Sequence, residues 1–590
     1  MAPAVEKPTH RSVSDSNIVP IYDREPIKNS PYLPEIMEKL NTIFGMRQFR
    51  KNQLEVITAT LDGRDVLVLM PTGGGKSLCY QLPAICQTGK TRGVTVVISP
   101  LLALMRDQEQ SLLSKGIDVV NFSSDQSDEA NSDSWAKLNG RNKPSIMYVT
   151  PEKLESSSKM KNTLQRVYEQ GQLARFVIDE AHVISSWGRN FRTAYKNLDS
   201  LRRHYPTVPI MALTATANSK TRRDIIDRLG IQGCEVLLQS FNRPNLHYSV
   251  RPKSGKTIVC DIATYIKSRH SGETGIIYCL SRDKCEEVAK ELRDKYNLRA
   301  RHFHAKMNSD DKQRTQKGWQ DGDFEIIVAT IAFGMGIDKH DVRFVIHHTL
   351  SRSLDSYAQE TGRAGRDGLP SDCLLFYSSQ DVNAIMSQIR NDKDLTPDVA
   401  QLQIDELWQM SYFCQNDVDC RRKELMAFFD QVFDPRDCHK SCNNCVEVKE
   451  LKQENLTRQA SDAVRLLQMM LRRDTHISHT LCVAAFRGSK SSDVTKKGFD
   501  GLSPFGAGKD LPAKLVQRLF AHLYSRRAFS QEPQSNGMWN SNYMQVSMKH
   551  IRRWVCHEPA VARRKSGCLL KRQRGSGDVS RCQYFRFVVG

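Results

Sequence analysis

Two α/β lobes in series, then a helical region closed by cysteines, then a basic C-terminal region: this is the architecture the chain predicts, on three observations. Short β-branched runs alternate with amphipathic helical stretches from Leu40, and the same rhythm restarts after Phe241-Asn242-Arg243-Pro244-Asn245. Cysteines gather between 420 and 445. Positive charge collects at one end, with 25 Lys+Arg against 9 Asp+Glu in residues 451–590, so that the first 450 carry only +4 of the total +20.

Each region follows from its residues. At 590 residues the chain is long enough for several domains with separate cores. Residues 1–39 are mostly polar and are expected to be a mobile lead-in. The first lobe, 40–240, has apolar residues on both faces of Val66-Leu67-Val68-Leu69, Val94-Thr95-Val96-Val97-Ile98, Ile146-Met147-Tyr148-Val149 and Phe176-Val177-Ile178, the signature of buried parallel strands. The second, 241–395, repeats it in Gly275-Ile276-Ile277-Tyr278-Cys279, Glu325-Ile326-Ile327-Val328-Ala329 and Phe344-Val345-Ile346-His347. Two such lobes leave a cleft between them. Residues 396–450 are helical and end in cysteines, 451–550 form a basic domain, and 551–590 a basic tail. No short-period repeat and no apolar run of membrane-spanning length occurs. The N-terminus lacks the apolar core of a secretory signal, so a soluble intracellular protein with reduced thiols is expected. A charge excess confined to one end reads as a nucleic-acid surface rather than a uniformly solvated exterior.

Chemistry enters at the end of the first strand. There the sequence runs through Pro71, Thr72, Gly73, Gly74, Gly75, Lys76 and Ser77 into a helix from Leu78. Glycines let the backbone curl with its N–H groups toward a phosphate, and the helix N-terminus adds its dipole. Lys76 would meet the β- and γ-phosphates of ATP and Ser77 a Mg²⁺ ion. Met70 stands where the strict pattern has Gly. About a hundred residues on, a strand delivers Asp179-Glu180-Ala181-His182. A magnesium nucleotide needs one carboxylate for the metal, which suits Asp179, and one to activate water, which suits Glu180. The second lobe offers Arg363 and Arg366, three residues apart, whose guanidinium forks could stabilise a transferring phosphoryl group across the cleft.

Cys420, Cys438, Cys442 and Cys445 supply four thiolates in an arrangement common to closed structural zinc sites, with His439 and Cys414 as alternative donors.

These residues together resemble a superfamily 2 helicase, and within it the RecQ family of ATP-dependent DNA helicases, in its short eukaryotic form. The segment Phe44-Gly45-Met46-Arg47-Gln48-Phe49-Arg50-Lys51-Asn52-Gln53 is similar to the family's adenine-reading motif, which implies Gln53 on the base edge and Arg50 stacked on its face. Leu213-Thr214-Ala215-Thr216-Ala217 is similar to its coupling motif, and Ile331-Ala332-Phe333-Gly334-Met335-Gly336-Ile337-Asp338 to one of its second-lobe motifs. The run at 357–366, Tyr-Ala-Gln-Glu-Thr-Gly-Arg-Ala-Gly-Arg, matches another, and places Gln359 with the nucleotide. Residues 182–195 resemble the family's aromatic-rich loop, with Trp187, Phe191 and Arg192 at its DNA-sensing positions; Arg189-Asn190 and Thr193 depart from the usual His-Asp and Pro. Cys420-Arg421-Arg422 matches the run that opens the family's zinc subdomain.

The resemblance implies two RecA-like parallel-sheet lobes, a helical zinc-binding subdomain and a winged-helix-like DNA-binding domain, and it spans about 40–450 closely and on to about 525 loosely. Phe486-Arg487-Gly488-Ser489-Lys490 is similar to the start of the winged helix, Leu511 to Tyr524 reads as a helix, and the polar stretch through Tyr543 as the wing hairpin. Tyr543 is the expected aromatic tip, which would replace stacking lost at a fork. Arg563-Arg564-Lys565 and Lys571-Arg572-Gln573-Arg574 resemble a nuclear-import pattern or a phosphate-contacting tail, and no further C-terminal nucleic-acid domain is expected. The implied activity is ATP-driven 3′ to 5′ translocation on single-stranded DNA that unwinds duplex or branched DNA in repair, recombination or replication, in the nucleus, with ATP, Mg²⁺ and Zn²⁺. Implied partners are single-stranded, forked and branched DNA, self-association and DNA-repair proteins, and no membrane. Two other readings stay open: an RNA helicase, which would share the phosphate loop and the Asp-Glu pair, and a DNA-binding or strand-annealing scaffold with a vestigial motor.

Overall fold

A computed structural model of the chain describes residues 30–71, 73–123, 128–184, 193–215, 218–255, 257–331, 333, 339–446, 452–526, 528–535, 540–546 and 586–589. The first lobe holds strands β1 (Val66–Leu69), β2 (Val94–Ile98), β3 (Val119–Phe122), β4 (Ile146–Val149), β5 (Leu173–Ile178), β6 (Ile210–Thr214) and β7 (Glu235–Leu238). They form one parallel sheet in the order β3-β4-β2-β5-β6-β1-β7. Alternate residues serve opposite cores: Leu67 and Leu69 point to one, Val66 and Val68 to the other, which is why these strands are apolar throughout.

The second lobe repeats the plan with β8 (Leu246–Pro252), β9 (Gly275–Tyr278), β10 (Ala300–Phe303), β11 (Ile326–Ala329), β12 (Phe344–His347) and β13 (Ser371–Tyr377), in the parallel order β10-β11-β9-β12-β13-β8. The apolar runs predicted as strands lie within these sheets. The strands that the pattern did not predict are β3, β6, β7, β8, β10 and β13. β8 and β10 are edge strands that carry polar residues, His247 and Ser249 in one and Arg301 and His302 in the other, and β3 carries a buried asparagine, Asn121, so these three show no unbroken apolar run, whereas the runs Ile210-Met211-Ala212-Leu213 of β6 and Cys373-Leu374-Leu375-Phe376 of β13 were passed over.

Beyond the lobes, helices Pro397–Gln415 and Arg421–Phe428 lead to the cysteine knuckle. That knuckle is stitched to β8, where the Tyr248 N–H donates to the Ser441 carbonyl at 3.1 Å. The C-terminal region has its own core, built from helices Thr457–Leu471, His479–Phe486 and Ala513–Ser525 and the hairpin Phe529–Ser535/Asn540–Val546. It docks on Pro397–Gln415: Trp408 stacks on Tyr524 with centroids 4.3 Å apart, and Arg518 donates to Asn416 at 3.3 Å. Residues 551–590 are not wholly a separate tail, because Arg586–Val589 pairs antiparallel with Lys452–Asn455. Among the described residues no helix is long and apolar enough to cross a membrane.

Candidate active site between the lobes and the cysteine knuckle

Three neighbouring strands deliver the site. β5, β6 and β1 lie side by side and parallel, so their carboxyl ends, at Asp179, Thr214 and Met70, emerge at one edge of the sheet. After Pro71 the chain turns through Gly73 (φ +80°) and Gly75 (φ +87°) into helix Leu78–Ile85, with Ser77 at its N-cap. Side chains have no room there. A Cβ at Gly75 would lie 2.2 Å from Gln53 Nε2, and one at Gly74 2.6 Å from Gln239 Oε1. Lys76 Nζ donates to the Met70 carbonyl at 3.1 Å, and burial pushes its pKa down against the raising charges of Glu180 and Asp179. Arg50 and Gln53 brace the loop: Gln53 Nε2 donates to the Gly75 carbonyl at 3.0 Å, and the Arg50 guanidinium donates to that of Gly73. Thr72 lies outside the described residues.

Asp179 is buried, and its carboxylate accepts from the Glu180 N–H at 3.0 Å and from Ser99 Oγ at 3.5 Å. Glu180 has φ +50°, a sparsely populated conformation for a side chain of this kind. Its Oε2 is 3.2 Å from His182 Nδ1, and the same nitrogen is 3.0 Å from Thr214 Oγ1. Burial and the neighbouring Glu180 charge raise the Asp179 pKa. Burial would raise Glu180 too, but the His182 hydrogen bond and the charges of His182, Lys76 and Arg363 outweigh it and hold Glu180 low. The pair is thereby split into two different groups. Tyr195, at the end of the aromatic-rich loop, is buried and donates to the Asp179 carbonyl at 3.3 Å. Trp187, Phe191 and Arg192 lie outside the described residues, as do Thr216 and Ala217 of the coupling motif and residues 332 and 334–338.

The second lobe completes the arrangement. Helix Leu354–Thr361, capped by Ser353, runs into the turn that carries Arg363 and Arg366. Arg366 reaches the phosphate loop: a Cβ on Gly73 would lie 3.2 Å from its Cγ, and its charge lowers the Lys76 pKa. Arg363 is buried and acts on Glu180 and Tyr278. Gln359 lines a small cavity between the lobes with Pro71, Arg243 and Gly362. The turn is held from the interlobe segment, since Arg243 donates to the Gly362, Ala364 and Gly365 carbonyls at 3.3, 3.1 and 2.6 Å. Asn245 Nδ2 also donates to Gly365, at 2.9 Å, where φ is +57° and a Cβ would lie 2.4 Å from that nitrogen. Sequence reasoning missed Arg243, Asn245, Gln239 and Tyr195. The break in rhythm at 241–245 was the signal for Arg243 and Asn245, and the aromatic-rich loop 182–195 for Tyr195; Gln239 had none.

The donors fit a hard divalent cation. A hydroxyl at Ser77 and a carboxylate at Asp179 are oxygen ligands of the kind Mg²⁺ takes, and a cation would favour the ionised form of the Asp179 carboxyl that burial disfavours.

The four cysteines come together as well, their sulfurs all within 4.8 Å of one another, with Cys420, Cys438 and Cys442 buried and Cys445 half-buried. A regular tetrahedron with Zn–S of about 2.3 Å places sulfurs about 3.8 Å apart. Cys438 and Cys442 Sγ are 3.7 Å apart, so the cage fits zinc. Neither Cys414 nor His439 belongs to the cluster.

The wing assignment needs correction. Tyr543 is not at the hairpin tip: it pairs with Glu532 within the strands and packs edge-on against His476, with centroids 4.7 Å apart. The last described pair is Ser535 with Asn540, and residues 536–539, Asn-Gly-Met-Trp, lie outside the described residues.

Family models match along the chain: DEAD/DEAH box helicase over residues 50–225, the helicase conserved C-terminal domain over 256–368, RecQ zinc-binding over 379–446 and the RQC domain over 451–567. Among curated relatives, the chain is 43% identical to ATP-dependent DNA helicase hus2/rqh1 of Schizosaccharomyces pombe, covering 90% of this chain and 40% of that protein. It is 41% identical to ATP-dependent helicase SGS1 of Saccharomyces cerevisiae, covering 88% and 36%. To ATP-dependent DNA helicase Q1 of Pongo abelii it is 34% identical, covering 91% and 81%. The chain thus spans well under half the length of the first two.

Expectations follow at both the loop–carboxylate site and the cysteine cage. If the chain hydrolyses ATP at this site, Lys76→Ala should abolish nearly all of that hydrolysis while leaving DNA binding, whereas Glu180→Gln should still bind MgATP and hydrolyse it slowly, because it keeps shape and loses the carboxylate. Steady-state hydrolysis and nucleotide-binding titrations check both; normal turnover by Lys76→Ala or loss of nucleotide binding by Glu180→Gln would refute the roles. Metal analysis of protein purified without chelator should return one zinc per chain, and Cys442→Ser should lower solubility or melting temperature rather than merely slow turnover. Zinc-free native protein would contradict the cage.

Proposed function

The chain belongs to the RecQ family of helicases, and from that premise we propose that it is an ATP-driven 3′ to 5′ DNA helicase whose two lobes close on a nucleotide. The observation that carries this is the meeting of Arg363 and Arg366 from the second lobe with Glu180 and the phosphate loop of the first. A motor site divided between two bodies ties hydrolysis to their relative movement. A vestigial motor would have no reason to keep that division charged and buried.

In this reading the backbone of 73–75 and Lys76 hold the phosphates, with Gln53, Arg50, Thr72 and Gln359 toward the nucleotide's other parts. Magnesium, held by Ser77 and Asp179, would neutralise phosphate charge and help orient the leaving group. Glu180 orients the attacking water and takes its proton as the bond to the terminal phosphorus forms and the bond to the ADP oxygen breaks. Arg363 and Arg366 stabilise the charge that develops. His182 governs Glu180: its contact keeps the carboxylate's proton affinity low, and it is itself held by Thr214 of the coupling motif. A shift of Thr214 would therefore change the strength of the base.

The proposed division into lobes at 40–240 and 241–395, zinc subdomain at 396–450 and winged-helix-like domain at 451–550 places the basic surface beyond the motor. Its net +16 over 451–590 suits duplex phosphates. The hairpin Phe529–Ser535/Asn540–Val546 serves as a strand-separating wing. Trp187, Phe191 and Arg192 sense single-stranded DNA. A nuclear location in repair or recombination agrees with the basic runs at 563–565 and 571–574.

Hydrolysis measured with single-stranded DNA, with RNA and with neither, beside unwinding of forked and four-way-junction DNA, tests the proposal. Strong stimulation by DNA with 3′-tail-dependent unwinding is expected. Equal or greater stimulation by RNA would favour an RNA helicase, and DNA binding without hydrolysis a scaffold.

A further inference from the structure

The turn that ends helix Arg421–Phe428 touches two parts of the motor at once. On one side it holds the segment joining the lobes. Phe429 stacks on Phe241, with centroids 4.1 Å apart and planes 11° from parallel, and the Phe241 N–H donates to Gln431 Oε1 at 3.0 Å. Arg422 of the same helix donates to Asn242 Oδ1 and to the Arg243 and Leu246 carbonyls, each at 2.7 Å. On the other side, the Asp430 carboxylate sits at the N-terminus of helix Ser219–Leu229 in the first lobe. It accepts from the Ser219 N–H at 2.8 Å and from Ser219 Oγ at 2.7 Å, with Arg222 3.8 Å away.

That helix lies on the route to the hydrolytic carboxylates. It begins directly after the coupling motif, and Ile225, Ile226 and Leu229 share a core with Ala181, Val183 and Ile184, the turn that follows Asp179 and Glu180. Asp430 has φ +59°, at the end of a helix where glycine is the residue best suited. An exposed carboxylate contact of this kind adds little stability. Its side chain is therefore better explained by position than by folding.

We propose that Phe429, Asp430 and Gln431 form a brace that ties the interlobe segment to helix Ser219–Leu229, so that lobe movement reaches Glu180 through the zinc subdomain. These are positioning residues, acting on Glu180 through the interlobe segment and helix Ser219–Leu229. The inference rests on the motor reading above and adds the path by which polynucleotide binding and hydrolysis are linked.

The test uses the full chain. Asp430→Gly keeps the backbone conformation and removes the carboxylate; Gln431→Ala removes the acceptor for the Phe241 N–H. The double variant is expected to hold zinc, melt like the wild type and keep its DNA-free hydrolysis and KM for ATP, while DNA-stimulated kcat and unwinding fall about five-fold or more. The paired variant Asp430→Asn with Gln431→Glu retains both acceptors and should restore stimulation. Wild-type stimulation in the double variant would overturn the brace, as would a joint loss of zinc, melting temperature and every activity that the conservative pair does not restore. Absence of DNA-stimulated hydrolysis in the wild-type chain would overturn the motor reading and the brace with it.

Discussion

The side-by-side ending of β5, β6 and β1 at one edge of a parallel sheet is the constraint on which the site depends. It sets Met70, Thr214 and Asp179 as neighbours although they come from positions 70, 214 and 179 of the chain. Everything charged in the first lobe's half follows from that. Lys76 is half-buried beside two carboxylates, the carboxylates are close enough to perturb each other, and His182 bridges Glu180 to Thr214. A buried charge without partners would be expensive, so the cluster holds only because each member answers another. Arg363 and Arg366 enter the same network from the second lobe, so in the proposed motor hydrolysis would be sensitive to where that lobe stands.

Much of this was legible in the sequence because the motifs are local. A phosphate loop needs consecutive glycines, a lysine and a hydroxyl between a strand and a helix, and 71–77 has them in order. The cysteine cage was legible for a similar reason, since three of its ligands fall within eight residues. Seven strands were visible as apolar runs, whereas β6, equally apolar and buried, was passed over, and β8 and β10, which sit at sheet edges, carry polar residues that break the pattern.

What sequence reading missed depends on contacts across long separations. Arg243 looks like an ordinary basic residue in a linker until Gly362, Ala364 and Gly365 are placed beside it. Gln239 and Tyr195 have the same character, each near the site through tertiary packing alone. Tyr543 was misplaced because an aromatic residue in a polar stretch reads as a tip, while strand pairing with Glu532 decides otherwise. The return of Arg586–Val589 to Lys452–Asn455 had no local signal at all. The zinc subdomain shows the same lesson in reverse: its cysteines were conspicuous, yet its contacts with the motor include Arg422, Phe429, Asp430 and Gln431, which no local pattern marks.

The central claim is that one hydrolytic site is built from two lobes, and Arg363→Ala measures it most directly. Pre-steady-state hydrolysis by that variant, with nucleotide affinity determined separately, should show near-wild-type binding and a hydrolysis rate lower by about 10³-fold, as for a group that stabilises charge in the transition state. Unchanged hydrolysis would contradict the account, because the second lobe would then contribute nothing to the chemistry. Weakened binding with an unchanged hydrolysis rate would contradict it equally, since Arg363 would then serve only to hold the nucleotide.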